Sequence, residues 1–587
     1  MTGRVVSGKP PIRAIGHPLQ RPLVGALWLV ISGCYTGLSA PDPRFGSAGD
    51  PGIDITDTGA GGTGDPDSGD DDGEGPEGSD APAPLLRLLS TQEYENTVND
   101  LLGVEFVNDV LWSDAHTGFD NGARAQLDES LVTLLMLQSE AVAQRYVEQR
   151  LSLDYPCLGQ LEAASLDCVD GFIDTFGFRA YRRPLTDADR EALLGFVEHL
   201  AAESPSNAEL AQFLVTRILL SPKFLYRVEG GRVDGQTPSE VDDYDRASLI
   251  AYTMTGSMPD ALLLSDAEAG TLDDDTTAGH VRRLAETPRG RAQMLRFAAQ
   301  WFRTTSLSHM REAPSEYPKL PTPETGASLA AEFDTFVEST LLGSGTLADL
   351  MLSTSYFVDA QTAPLYGLPA PATVGMTPTQ APVGRTGVLG LASVLASHAS
   401  GALTHKDKPI ARGMLIKNQL LCEEIGLPSG IDINQAAEEV QGEVEDFDLM
   451  TPREQLELIM NQGEQCIACH ETFMPYGFLS SNFDALGQYQ THFGERPLDA
   501  SVTELQLDGE WKGYADLAAF VPELAHSDQL AACYVKQVAR FISGSMEGDL
   551  TDRLEADFEG FGSDEVMLEL FEQMLLHPAV YERNPSP

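Results

Sequence analysis

Apolar residues recur along this chain at three- and four-residue intervals far more often than at every second position. The run beginning near Leu85 sets the style. Ser90-Thr91-Gln92-Glu93 has the spacing of a capping box, Tyr94, Val98, Leu101 and Leu102 fall on one side of the helix it would start, and Gly103 supplies the stop. Thr186 is placed to cap a helix carrying Leu193, Leu194, Phe196, Val197 and Leu200, and Asn207 to Leu220 forms another, closed by Pro222. Further helical runs are expected over 246–256, 279–303, 327–342, 386–397, 409–421, 452–461, 528–543 and 564–576. Strand-like alternation is scarce, and no period of solenoid length appears. The pattern predicts a mainly α, multidomain helical body.

Two stretches ahead of residue 85 break this pattern. Residues 1–33 read as a lipoprotein signal peptide: a basic region ends at Arg21, and an apolar run from Leu23 to Ile31 is too short to span a bilayer. The run ends in Ile31-Ser32-Gly33-Cys34, which resembles a lipobox, where cleavage precedes the cysteine and its thiol takes a diacylglycerol. The competing reading is an ordinary secretory signal with an incidental cysteine. Tyr35 rather than Asp follows Cys34, which in a diderm envelope points to the outer membrane. The expectation is an exported protein, lipid-anchored in the cell envelope at the outer membrane, facing the periplasm or the cell surface. The lipid is its only expected membrane contact. Residues 34–84 form the tether behind it: from 41 to 84 there are twelve acids, one base (Arg44) and many Gly and Pro. Such a segment buries too little surface to offset its ordering entropy, and its like charges extend it.

Charge narrows the choice of partners. The 587 residues carry a formal net charge of −51, and loss of the leader with its four bases (Arg4, Lys9, Arg13, Arg21) leaves the mature chain near −55. That surface repels nucleic acid and anionic lipid, so neither is expected as a partner. The acidity serves solubility or a saline habitat on one reading, and steers a basic redox partner, as yet unknown, on the other.

Cys466-Ile467-Ala468-Cys469-His470 is the strongest chemical signal. C-x-x-C-H is the attachment pattern of c-type haem: Cys466 and Cys469 add to the two porphyrin vinyl groups, and His470 then lies over the iron as proximal ligand. An accidental match is expected in roughly one or two such chains per thousand. Zinc held with a fourth ligand from elsewhere and a thioredoxin-like redox pair are the alternatives. The flanks lack the βαβ context the second would need, and export favours one covalent haem c. Setting aside Cys34 and the two haem thiols leaves Cys157, Cys168, Cys422 and Cys533 of the seven cysteines. An even remainder in an oxidising compartment suggests two disulfides. Three pairings are open. Proximity favours Cys157–Cys168 and hence Cys422–Cys533, against a reading of four buried thiols.

From residue 85 to the end, the chain resembles the planctomycete-type multidomain cytochrome c-like proteins, exported bacterial proteins built of modules of unknown function. The resemblance is carried in order by Leu86-Arg87-Leu88-Leu89 with Asp100-Leu101-Leu102-Gly103, by Phe178 to Thr186, by Ser257-Met258-Pro259-Asp260 with Gln300-Trp301-Phe302, by Arg412-Gly413 with Leu420-Leu421-Cys422, and by Asn482 to Gly487. One departure stands before Arg412-Gly413, where the family reads Thr-Ser-Pro and this chain has Lys406-Asp407-Lys408-Pro409. The resemblance implies a cytochrome c-like haem module near the C-terminus, at 381–495. Ahead of it come an N-terminal helical module (85–153), a helical module with Cys157 and Cys168 (154–228) and a central helical module (229–380). A C-terminal helical module (496–587) follows.

Several residues invite a role. His398 and His405 precede the haem motif and read first as ordinary surface histidines; the alternative is a distal iron ligand, for which His398 is favoured because the family often has a histidine there. Met450, Met460 and Met546 are open alternatives, whereas Met474 stands so close to His470 that packing suits it better. Phe473, Phe478 and Phe483 are expected to pack the haem edge. Arg179, Arg182 and Arg183 fit ion pairs better than an anion site, and Trp301 and Phe302 fit the core. No G-x-S-x-G, Walker or H-E-x-x-H pattern appears, and no catalytic residues are visible. The expected function is electron transfer through envelope-anchored haem. A haem-linked oxidoreductase of unknown substrate and a surface-anchored polysaccharide-binding or structural protein are the alternatives.

Overall fold

The computed structural model describes residues 85–107, 118–122, 129–159, 166–201, 205–229, 239–307, 310, 320, 322–398, 409–423, 449–460, 464–546 and 548–583. The leader, Cys34 and the tether, with His405 and Lys406 to Lys408, lie outside them.

The described chain is mainly helical and multidomain, and its strands form two-stranded ladders only. Strand β1 (Leu85–Leu88) leads into helix α1 (Thr91–Leu102). The capping box read from sequence is present: the Glu93 N–H donates to Ser90 Oγ at 3.2 Å and the Ser90 N–H to Glu93 Oε2 at 2.9 Å. Gly103 ends the helix with φ +61°, a left-handed position that suits glycine. Helix α2 (Glu129–Gln149) packs on α3 (Asn207–Leu219), and β2 (Tyr226–Glu229) pairs antiparallel with β1, Leu85 opposite Glu229.

At this joint Arg227 pairs with Glu93 at 3.0 Å, both buried, with the guanidinium 4.8 Å from the Tyr252 ring centre. The neighbouring arginines are structural. Arg183 pairs with Asp242 and Asp245 at 2.7 and 2.8 Å, Arg182 donates to the carbonyls of Lys223, Phe224 and Tyr226, and Arg179 donates to that of Asp100.

The central helices are α4 (Asp243–Thr255), α5 (Pro288–Trp301) and α6 (Thr325–Leu341). The run expected over 279–303 is two helices, because Thr287 is extended (ψ 156°), as a residue before proline prefers, and caps α5 through Gly290 N–H at 3.0 Å. The region that holds the C-x-x-C-H run follows with α7 (Ala392–Ser397), α8 (Pro409–Met414), a π-helical turn at Leu415–Leu420, and α9 (Glu464–Phe478). The run over 386–397 is likewise interrupted. Gly387 has φ +54°, and a β-carbon there would fall 1.8 Å from the Met351 carbonyl oxygen. A hairpin of β3 (Val502–Leu507) and β4 (Glu510–Tyr514) precedes α10 (Asp528–Ser543) and α11 (Met567–Leu576).

One apolar core runs from Phe119 to Tyr581 and joins the central helices to α10 and α11. Phe297 lies at its centre, with ring centroids 5.4 Å from Phe119, 5.2 Å from Phe541 and 5.1 Å from Phe571. Trp301 and Phe302 are fully buried here, and the Trp301 indole donates to the Gln419 carbonyl at 2.6 Å. That bond ties the central core to the π-helical turn. Among the described residues no helix is long and apolar enough to cross a membrane.

Candidate haem site

The C-x-x-C-H run occupies the first turns of α9. Positions 466, 469 and 470 stand three and four apart on this helix and so share one face. The backbone alone is described there, and the side chains of Cys466, Cys469, His470 and Met460 lie outside the described residues. The second half of α9 carries Phe473, Met474, Tyr476 and Phe478, all buried, and Met474 sits in the common core as the sequence reading preferred.

Helix α8 lies against α9 at backbone contact. A β-carbon on Gly477 would meet the Pro409 carbonyl oxygen at 1.8 Å, and one on Gly413 would meet that of Phe473 at 2.3 Å. At these two glycines no side chain fits between the helices, which fixes α8 against α9 there. Gly477→Ala should therefore lower the unfolding free energy by about 3 kcal/mol, the upper end of an overpacking cost. A denaturation midpoint equal to that of the parent would show that the helices separate freely.

Two buried arginines hold α7 against the chain that follows α9. Arg412, on α8, donates to the carbonyls of Leu395 (3.2 Å), Phe483 (2.9 Å) and Asp484 (2.6 Å). Arg385 donates to Gly390 (2.7 Å) and Gly487 and lies over the Tyr366 and Phe483 rings. Asp484 folds that turn by accepting from the N–H groups of Leu486 and Gln488. On the other side of α7, the fully buried Glu332 accepts the Ser393 N–H of its first turn at 2.8 Å, and burial pushes the Glu332 carboxyl up.

His398 closes α7. Its Nδ1 donates to the Val394 carbonyl at 2.9 Å, in the tautomer that leaves a lone pair on Nε2. Nε2 is buried and has no hydrogen-bond partner among the described residues. Burial first, then the charges of Arg412 and Arg303, push the imidazole pKa down to about 4, against the Val394 bond. His398 is therefore a neutral, oriented imidazole with an unused buried lone pair, as a metal ligand needs. Of the other candidates, Met450 and Met546 are half-buried.

Both disulfides favoured from the cysteine count are present. Cys157 joins Cys168 with Cα atoms 6.1 Å apart, and Cys422 joins Cys533 at 5.2 Å. The second ties the end of the π-helical turn to α10. The buried Arg385, Arg412 and Glu332 had no signal in the spacing of the sequence beyond Arg412's place in a family motif.

Four family models match parts of the chain. PSD3, a protein of unknown function (DUF1587), matches residues 87–149, and PSD5, a protein of unknown function (DUF1595), matches 168–229. PSD4, a protein of unknown function (DUF1592), matches 241–368, and PSCyt3, a protein of unknown function (DUF1588), matches 385–493. No curated protein and no solved structure matches. The last range holds His398, Arg412 and the C-x-x-C-H helix together. The fold is that of a multi-module helical protein, and the match over 385–493 marks one module as cytochrome c-like. The chain belongs to the planctomycete-type multidomain cytochrome c-like proteins.

Proposed function

We propose that the protein is an envelope-anchored lipoprotein that carries one covalent haem c and passes single electrons. The buried, unpartnered Nε2 of His398 is the observation that carries this reading. His398 would hold the iron as distal ligand, and Cys466, Cys469 and His470 on α9 would supply the thioether links and the proximal ligand. When bound, the haem supplies a one-electron iron couple. The chain's own part is to hold His398 neutral and oriented through Val394, to fix α9 against α8, and to keep water from the site with Phe473, Phe478 and Phe483, which are all buried.

With His398 as distal ligand the spectrum should be low-spin, at a potential below that of Met/His ligation. His398→Ala should then open the sixth position, giving a high-spin ferric spectrum and rapid binding of carbon monoxide after reduction. A variant that stays low-spin would assign the ligand elsewhere, with Met450, Met460 and Met546 next in line. Anchoring is tested separately: Cys34→Ala should release the protein from membranes or stall its processing, and a soluble wild type with unmodified Cys34 would refute it.

A second reading, a haem-linked oxidoreductase, is favoured by a cleft of about 660 Å³ between α1, α5 and α6, lined by Gln92, Asn96, Arg289, Gln293, Arg296 and Asp334 among others. Haem reduction that depends on an added substrate would select it over a carrier.

A further inference from the structure

The cleft of about 660 Å³ between α1, α5 and α6 has the size of a ligand site, for which ~300–1,000 Å³ is usual. It opens where two modules meet: α1 and Asp120 fall within residues 87–149, and α5 and α6 within 241–368. Small side chains make the room, since Ala292 and Ala299 of α5 and Ala330 of α6 all line it. Leu295, Leu307 and Phe333 complete an apolar side.

The polar side is held in place by its own bonds. Arg296 donates to Asp120 Oδ2 at 3.0 Å, to Ser90 Oγ at 3.1 Å and to Gln293 Oε1 at 3.4 Å. Arg289 donates to Asp100 Oδ1 at 2.9 Å and to Asn96 Oδ1. Each guanidinium thus has its carboxylate, and neither is left to select an anion. Two amides, by contrast, are half used. Gln92 gives its Nε2 to Asn96 Oδ1 at 3.2 Å, and Gln300 accepts the Asp120 N–H at Oε1 at 3.2 Å. Gln92 Oε1 and Gln300 Nε2 have no hydrogen-bond partner among the described residues. Gln300 is only 7 % exposed, and a polar group so buried normally has its bonds made. The cleft therefore offers an uncharged donor and an uncharged acceptor beside an apolar surface. Its walls are helices, whose backbone groups are bonded internally, so an extended peptide finds no edge to pair with. A sugar ring suits it better, with hydroxyls at the rim that both donate and accept and C–H groups on its faces.

We propose that this cleft binds a neutral oligosaccharide, with Gln92 and Gln300 bonding its hydroxyls and Ala299, Ala330 and Phe333 taking a ring face. The proposal rests on the choice of cleft in the oxidoreductase reading above and names the substrate class for it. It gives the first and central modules a joint task, since neither forms the cleft alone.

The test uses the full chain, made in a host with cytochrome c maturation, as wild type, Q300E, A299W and, as a control, R291Q, whose arginine pairs with Glu338 at 2.8 Å and does not line the cleft. Thermal unfolding checks that each variant is folded. Titration calorimetry with cellotetraose, xylotetraose, mannotetraose and maltotetraose should show that the wild type binds at least one of them, with an affinity that salt does not change. Q300E keeps the acceptor for the Asp120 N–H and loses the free donor, and should weaken that binding about tenfold. A299W fills the cleft and should abolish binding, whereas R291Q should bind as the wild type does. Folded A299W that binds as the wild type does would overturn the proposal. So would tetragalacturonate or tetra-alanine bound in preference to every neutral tetrasaccharide. Binding of none of the four would overturn it too and leave the oxidoreductase reading to a substrate of another class. Binding without haem reduction would uphold the proposal and count against that reading.

Discussion

Replacing Cys466, Cys469 or His470 by alanine is expected to remove the covalent haem or its normal spectrum altogether, the largest effect of any single substitution in this chain. On the proposed reading each cysteine would account for one of two thioether bonds, and the histidine for the proximal iron bond. The three positions share one face of α9. The loss should be chemical rather than a collapse of the fold, since the second half of α9 is held by its glycine contact with α8 and by the core around Met474. Far-UV circular dichroism of Cys466→Ala should therefore stay close to that of the parent while haem staining of the denatured band disappears. Full haem retention in both Cys466→Ala and Cys469→Ala would rule out attachment at these thiols.

Opening the Cys422–Cys533 bridge should have the largest effect on stability. The two residues are 111 apart in sequence, and a loop of that length, left unclosed in the unfolded chain, adds about 4–5 kcal/mol to the entropy opposing folding. The corresponding figure for Cys157–Cys168, separated by 11, is about 3 kcal/mol. The long bridge also fastens the π-helical turn to α10 beside the Trp301 indole bond, so its loss frees the end of the segment that begins with α8. Denaturant unfolding of C422S/C533S and of C157S/C168S gives the comparison. A smaller loss for the first pair than for the second would contradict the loop-closure account.

Much of this architecture was legible before any coordinates. The capping box at Ser90 and the stop at Gly103 are local chemistry, and the helix over 528–543 has the expected bounds. Errors came where a local break hid inside an apolar period. Thr287-Pro288 divides 279–303, Gly387 interrupts 386–397, and 409–421 changes from α to π where Lys417 is buried beside Tyr476. Periodicity counts apolar positions and is blind to a proline that fits the first turn of a new helix. The cysteine arithmetic gave both disulfides because only one of the pairings joins near neighbours.

The candidate site was legible in part. The C-x-x-C-H spacing points to haem attachment, with the side chains of that run outside the described residues. His398 could be named as a candidate, but its fitness rests on packing: the Val394 carbonyl selects the tautomer, and Nε2 is buried without a hydrogen-bond partner among the described residues.

The central claim is one covalent haem c on this chain. It is tested most directly by the absorption spectrum and intact mass of the wild-type protein purified under denaturing conditions from a maturation-competent host. The account predicts a Soret band that stays with the polypeptide, and a mass increased by one haem that maps to the peptide holding Cys466 and Cys469. A protein with no Soret band and stoichiometric zinc at those cysteines would contradict it.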